Sequence, residues 1–166
     1  MLMYFLRILL IPVLLLASVK GTSQTRRFQH LTSADGLSQS EVYAFLNDSR
    51  GFMWFGTLDG LNKYDGNSIE IFNTEKGNPY TLSNNTIRSL AEDKKGRIWI
   101  GTDDGLNLYD PNTELIHQVH GEDFEEKFTV WSLLVDGDHL FAGTREGLWK
   151  ASITSDKIEE IEFQFT

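Results

Sequence analysis

Short apolar stretches separated by turn residues run along most of the chain, and one block of them is repeated. The segment GFMWFGTLDGLNKYD at Gly51–Asp65 recurs as GRIWIGTDDGLNLYD at Gly96–Asp110, 45 residues later, with 10 of 15 positions identical. A weaker third copy, FTVWSLLVDGDHLFAGTREGLWKAS, follows 42 residues after the second. A period of 42 to 45 residues is typical of β-propeller blades, which have four strands each.

The second copy predicts four strands joined by the turn sequences EDKKGR, GTDDG and DPNTE. These strands are Ile87–Glu92, Arg97–Gly101, Leu106–Tyr109 and Glu114–His120. The cores RIWIG and FMWFG are apolar on consecutive residues, so both faces are covered, as in stacked blades and unlike the half-polar sheets of a sandwich. We expect an all-β fold: a partial β-propeller of about three four-stranded antiparallel blades after an N-terminal signal helix. The blades are expected at about 28–72, 73–120 and 121–166.

The first residues, MLMYFLRILLIPVLLLASVKGTSQ, read as an export leader. The apolar run Ile8–Ala17 is about half as long as the roughly 20 residues that a bilayer-spanning helix needs. We predict a signal peptide at 1–23 and an exported, periplasmic remainder at 24–166, with an uncleaved membrane anchor as the alternative.

The chain is acidic and has no cysteine. Two of its 15 basic residues, Arg7 and Lys20, lie in the leader and all 24 acidic residues follow it, so the remainder carries a net charge of −11. Such a surface repels nucleic-acid phosphates and anionic membranes. The absence of cysteine excludes thiol catalysis, thiolate metal sites and disulfides.

Several patterns with possible chemistry are better explained as scaffold. Gly51 and Gly56 have phosphate-loop spacing, but Thr57 follows without the lysine that such a loop needs. His117 and His120 would point to opposite faces of a strand. One acid precedes a glycine in each repeat, which is an ordinary turn pair: Asp59, Asp104 and Glu146. No serine lies in a nucleophile-elbow context. We therefore predict no catalytic residue, no metal site and no cofactor.

The segments NDSRGFMWFGTLDGLNKYDG and EDKKGRIWIGTDDGLNLYDP resemble the two-component regulator propeller repeat. This repeat is typical of the periplasmic sensor region of hybrid two-component histidine kinases in Bacteroidetes. The third copy departs from it, with Phe141 in place of the tryptophan and Ala151 in place of the tyrosine. The resemblance implies a non-catalytic sensing module for oligosaccharides derived from glycans. It also implies partners: the remaining propeller blades, the transmembrane and kinase regions of a full-length sensor, and a homodimer of that sensor as a further option.

Three blades are too few to close a ring, since propellers have about four to eight. The chain is thus expected to be the N-terminal fragment of a longer sensor, and to be poorly stable alone because its last blade lacks a neighbour. Two alternatives stay open because a fold does not define a function. One is an exported propeller enzyme of the lyase or hydrolase type, and the other is a scaffold for protein partners.

Repeat positions that vary are better ligand candidates than positions that recur, because every blade must pack but only some need touch a ligand. Tyr43, Arg88 and Trp131 share one variable slot in the predicted channel-lining strands. Aromatic rings could stack on sugars while a guanidinium bonds their hydroxyls; packing between blades is the alternative role. Secondary candidates are Leu58, Asp103 and Arg145. The recurring signature of the blade comprises Trp54, Gly56, Thr57, Gly60, Trp99, Gly101, Thr102, Gly105, Gly143, Thr144 and Gly147.

Overall fold

Three antiparallel sheets of four strands each make up most of the part of the chain that the structure describes. The computed structural model describes residues 30–120 and 128–165. Blade 1 contains β1 (Ala44–Asn47), β2 (Met53–Thr57), β3 (Gly60–Tyr64) and β4 (Ile69–Phe72). Blade 2 contains β5 (Ile87–Glu92), β6 (Ile98–Thr102), β7 (Gly105–Asp110) and β8 (Leu115–Val119). Blade 3 contains β9 (Val130–Asp136), β10 (His139–Thr144), β11 (Leu148–Ser152) and β12 (Phe163–Phe165). In each blade the strands pair in chain order.

The predicted all-β, three-bladed partial propeller is confirmed. In blade 2, β5 has the predicted bounds, and the other three strands differ from prediction by one residue at each end. The predicted signal helix at 1–23 and the residues 121–127 that open the predicted third blade lie outside the described residues. Across residues 30–120 and 128–165, no helix has both the length and the apolar character needed to cross a bilayer.

The hydrophobic core lies between the blades. All five residues of β6 are buried, because one of its faces packs toward blade 1 and the other toward blade 3. Trp54 belongs to the cluster between blades 1 and 2, and Trp99 to the cluster between blades 2 and 3; both are 0% exposed. Consecutive apolar residues in the strand cores therefore reflect burial on both faces.

Close approach of the next blade accounts for the glycine in the second strand of blades 1 and 2. A Cβ placed on Gly56 would lie 2.5 Å from Cγ2 of Ile87, the first residue of β5. A Cβ placed on Gly101 would lie 2.8 Å from both the carbonyl oxygen and Cγ1 of Val130, the first residue of β9. Because glycine has no side chain, the strand leaves room for a β-branched side chain of the next blade to pack against it.

The shorter spacing of the third copy arises in two places. Ile87 and Val130, the first residues of β5 and β9, are 43 residues apart, so two residues are lost before blade 3 begins. One more is lost in the first hairpin, because Ser89 pairs with Gly101 12 residues later whereas Ser132 pairs with Gly143 11 residues later.

Candidate functional site

The three variable-slot residues come together because the innermost strands of successive blades are neighbours, with β5 lying beside both β1 and β9. The guanidinium carbon of Arg88 lies 5.7 Å from the centre of the Tyr43 ring and 5.1 Å from the centre of the Trp131 ring. One side chain from each blade thus forms an aromatic, cation and aromatic row, which we call the channel row: Tyr43, Arg88 and Trp131.

β-Bulges hold two members of the channel row out of the packed interface. In blade 2, Ile87 pairs with Thr102 and Ser89 with Gly101, which leaves Arg88 as the extra residue. In blade 3, Val130 pairs with Thr144 and Ser132 with Gly143, which leaves Trp131 as the extra residue. A bulge changes the direction of a side chain, and bulges are common at barrel rims and next to active sites.

The aromatic rings of the channel row are open to solvent. Tyr43 is 49% exposed and Trp131 is 54% exposed, whereas Trp54 and Trp99 are fully buried. Two exposed rings held at defined positions provide flat apolar surfaces on which a ligand could stack.

Asp103, a secondary candidate from the sequence, clamps Arg88. The Arg88 Nε donates to Asp103 Oδ1 at 2.7 Å, and its Nη2 donates to Asp103 Oδ2 at 2.8 Å. This two-point geometry fixes the plane of the guanidinium between the rings and leaves Nη1 outside the clamp. The paired carboxylate neutralises most of the positive charge that Arg88 brings to the site.

Local hydrogen bonds raise the pKa values of two side chains in the channel row, Arg88 and Tyr43. The hydrogen bond and charge of Asp103 raise the pKa of Arg88, so this group stays cationic. The Tyr43 hydroxyl donates to Glu41 at 3.1 Å, and this bond, followed by the charge of Glu41, raises the pKa of the phenol. Tyr43 is therefore a neutral hydroxyl group across the physiological pH range. With Glu41 and Asp103 both close by, the site favours a neutral polar ligand over an anionic one.

The other secondary candidates, Leu58 and Arg145, lie on the turns after β2 and β10. The Leu58 backbone N–H bonds the Gln39 side chain at 3.2 Å, and Arg145 is exposed on the turn after β10. The loop KGNPYTLSNN lines an open depression of about 600 Å³ beside Gln118 on β8.

The acid–glycine turns are built by the preceding threonine. The backbone N–H groups of Asp59, Asp104 and Glu146 each donate to the threonine Oγ1 two residues earlier, at 3.0 to 3.2 Å. His117 packs edge-on against Tyr80, with ring centres 5.5 Å apart. Among residues 30–120 and 128–165, no three His, Asp or Glu side chains are grouped so as to hold a metal ion.

The burial of two aspartates was not predicted from the sequence. Asp48 and Asp93 occupy equivalent positions after the first strand of blades 1 and 2, where each accepts backbone N–H groups of its own turn. Each also accepts the indole N–H of its blade's tryptophan, at 2.9 Å for Trp54 and 3.1 Å for Trp99. The available signal was an aspartate six residues before the tryptophan in both strong copies.

Comparisons with known proteins agree with this architecture. The family model described as two component regulator propeller matches residues 36–59 and 81–104. Histidine kinase P4 from Formosa agariphila is 38% identical to the chain over 66 residues, which cover 40% of the chain and 5% of the relative. Both segments that the family model matches lie in the first two repeats, where the sequence similarity between copies is strongest.

Solved structures show the same fold. The extracellular domain of a putative hybrid two component system from B. thetaiotaomicron is 25% identical, with a TM-score of 0.62 over 76% of this chain and 17% of that one. A second such extracellular domain from the same organism is 17% identical, with a TM-score of 0.50 over 83% of this chain and 26% of that one. The chain thus spans only a small part of the length of each relative.

Proposed function

We propose that the chain is the non-catalytic, ligand-sensing propeller segment of a periplasmic sensor in a hybrid two-component signalling system. The ligand class is an oligosaccharide derived from a glycan. The observation that carries the proposal is the channel row, in which each of three blades contributes one side chain and two of these are presented by bulges.

The chemistry of the row suits a neutral sugar. The apolar faces of sugar rings stack on exposed aromatic rings, and Tyr43 and Trp131 supply two such rings. The Arg88 N–H groups outside the Asp103 clamp can donate to sugar hydroxyls. Because Asp103 already balances the charge of Arg88, the row gains little from a sulfated or carboxylated ligand.

In this proposal the ligand signal passes to other regions of a longer protein. Further propeller blades, a membrane-spanning region and a kinase region would be the partners. The relatedness to Histidine kinase P4 and to extracellular domains of putative hybrid two component systems supports this arrangement.

Sugar binding should depend on Trp131. We expect the full chain, screened against neutral gluco-, xylo- and mannohexaose by isothermal titration and tryptophan fluorescence, to bind at least one of them. Trp131→Ala should weaken that affinity about 10-fold, or about 1.4 kcal/mol, because it removes a ring contact of about 0.5–1.5 kcal/mol and the apolar area buried with it. Phe165→Ala removes another ring, 59% exposed and outside the row, and should leave affinity unchanged.

Two results would contradict the proposal. Equal affinity of Trp131→Ala and the unsubstituted chain, with equal melting temperatures, would show that the row does not bind sugar. Release of new reducing or unsaturated sugar ends during incubation would instead favour the exported-enzyme alternative.

A further inference from the structure

The loop between β4 and β5 forms an open polar depression beside β8, the outermost strand of blade 2. Its volume of about 600 Å³ falls within the range of roughly 300–1,000 Å³ that is typical of small-molecule sites. We call it the loop depression, and it is lined by residues 74–79, Leu82, Ser83 and Gln118.

This loop is long and is held in shape by its own hydrogen bonds. Fourteen residues, 73–86, connect β4 to β5, and ordered loops of this length are usually functional. The Thr81 hydroxyl donates to the Asn78 carbonyl oxygen at 3.0 Å and accepts the Glu75 backbone N–H at 3.1 Å. Gln118 Nε2 donates to the Thr81 carbonyl oxygen at 3.1 Å, which ties the loop to β8. A ligand that enters the loop depression therefore pays little for ordering its walls.

The lining offers both hydrogen-bond donors and acceptors. The Lys76 ammonium group is a donor, whereas the Glu75 carboxylate and the Gln118 amide oxygen are acceptors. The charges of Glu75 and Lys76 balance, so the loop depression, like the channel row, favours a neutral polar ligand. Sugar hydroxyls, which donate and accept, match this set of groups.

An exposed aromatic ring stands next to these polar groups. Tyr80 follows the lining segment 74–79 directly and is 51% exposed. Its ring packs edge-on against His117, with ring centres 5.5 Å apart, and this contact fixes the plane of the tyrosine. A fixed, exposed ring beside hydrogen-bonding groups provides a flat apolar surface for one face of a sugar.

The loop continues from the loop depression to the channel row along the turn that carries Asp103. The Ser83 hydroxyl lies 3.1 Å from the Thr102 hydroxyl, and the Asp103 backbone N–H donates to the Thr86 carbonyl oxygen at 3.2 Å. Ser83 lines the loop depression and Arg88 is five residues later, so their Cα atoms are at most about 18 Å apart. An oligosaccharide of several units can therefore reach from one site to the other.

We propose that the loop depression is a second sugar subsite, which binds the outer units of an oligosaccharide whose other units stack on the channel row. This inference rests on the proposed function, because it needs a sugar in the channel row. Its consequence is selection by chain length: a hexasaccharide contacts both sites, whereas a disaccharide contacts the row alone. The second contact adds affinity because the first one already holds the ligand nearby.

The test compares the neutral gluco-, xylo- or mannohexaose that binds in the screen above with its disaccharide, by tryptophan fluorescence of the full chain. Lys76→Ala combined with Tyr80→Ala removes a donor and a ring from the second subsite. This double variant should weaken hexaose binding about 10-fold and leave disaccharide affinity unchanged. Trp131→Ala should weaken both ligands. Lys157→Ala combined with Phe165→Ala makes matched changes at exposed positions outside both sites and should affect neither ligand.

The possible results separate this inference from the proposed function. An unsubstituted chain that binds no hexaose overturns both. Hexaose binding that depends on Trp131 but is unchanged in the Lys76 and Tyr80 double variant overturns the second subsite alone. Equal losses of hexaose and disaccharide affinity in that double variant also overturn it, since the loop would then act by positioning the channel row.

Discussion

Asp93→Asn is expected to lower the free energy of unfolding by about 3–5 kcal/mol, because it breaks a buried ion pair by removing one partner. Asp93 Oδ2 lies 2.7 Å from Nε of Arg97, and the two side chains are 2% and 6% exposed. Asparagine has nearly the same shape but no charge. The substitution therefore leaves the guanidinium of Arg97 buried without a compensating anion.

The loss should extend into blade 3. The Arg97 guanidinium also donates to the carbonyl oxygens of Ile153 at 2.9 Å and Ser155 at 3.0 Å, both after the third strand of blade 3. Asp93 thus orients Arg97, whose hydrogen bonds connect blade 2 to blade 3. Urea denaturation at fixed protein concentration, followed by circular dichroism, measures the change in unfolding free energy.

Asp48→Asn is the matched control at the same position of blade 1. Asp48 also accepts N–H groups of its turn and the Trp54 indole, but its ion-pair partner Arg50 is 34% exposed at 3.6 Å. A pair open to water contributes at most about 1 kcal/mol. We expect Asp48→Asn to cost clearly less than Asp93→Asn, and equal costs would show that the buried arginine is not the cause.

The fold could be read from the sequence because the repeat carries redundant information. The first two copies are identical at 10 of 15 positions, so the turn sequences of one could be matched to those of the other. Consecutive apolar residues such as Ile98–Ile100 indicated that the strands are covered on both faces. Gly101 was recognised as a recurring position, but the partner that requires it, Val130, lies in the next blade. Contacts between blades depend on packing that no local pattern describes.

The candidate site was only partly visible in the sequence. Variation within one slot singled out Tyr43, Arg88 and Trp131, and the structure brings them into one row. The bulges behind Arg88 and Trp131 depend on strand register, which the alternation of residues did not reveal. Asp93 was read as part of a polar turn because aspartate is common in turns. Its burial comes from its hydrogen bonds and from the neighbouring blade, both of which are tertiary features.

Gly101→Ala is expected to destabilise the chain by about 3 kcal/mol, at the upper end of the cost of overpacking a core. The added Cβ would lie 2.8 Å from the carbonyl oxygen of Val130, closer than real contacts allow. A backbone atom cannot turn aside as a side chain can, so blades 2 and 3 must separate. Thermal unfolding should show a melting temperature lowered by several degrees.

Gly143→Ala tests whether the neighbouring blade causes this cost. It places the same methyl group in the same slot of blade 3. The nearest atom is a serine hydroxyl of the same blade in both cases, Ser89 at 2.3 Å for Gly101 and Ser132 at 2.4 Å for Gly143, and such a group can rotate. The three atoms nearest to Gly143 all belong to Ser132, so no atom of another blade is among them. Gly143→Ala should therefore destabilise the chain much less than Gly101→Ala does. Equal losses in the two variants would place the cost within the blade, in the strand itself, and would reject the close approach of Val130 as the reason for the glycine.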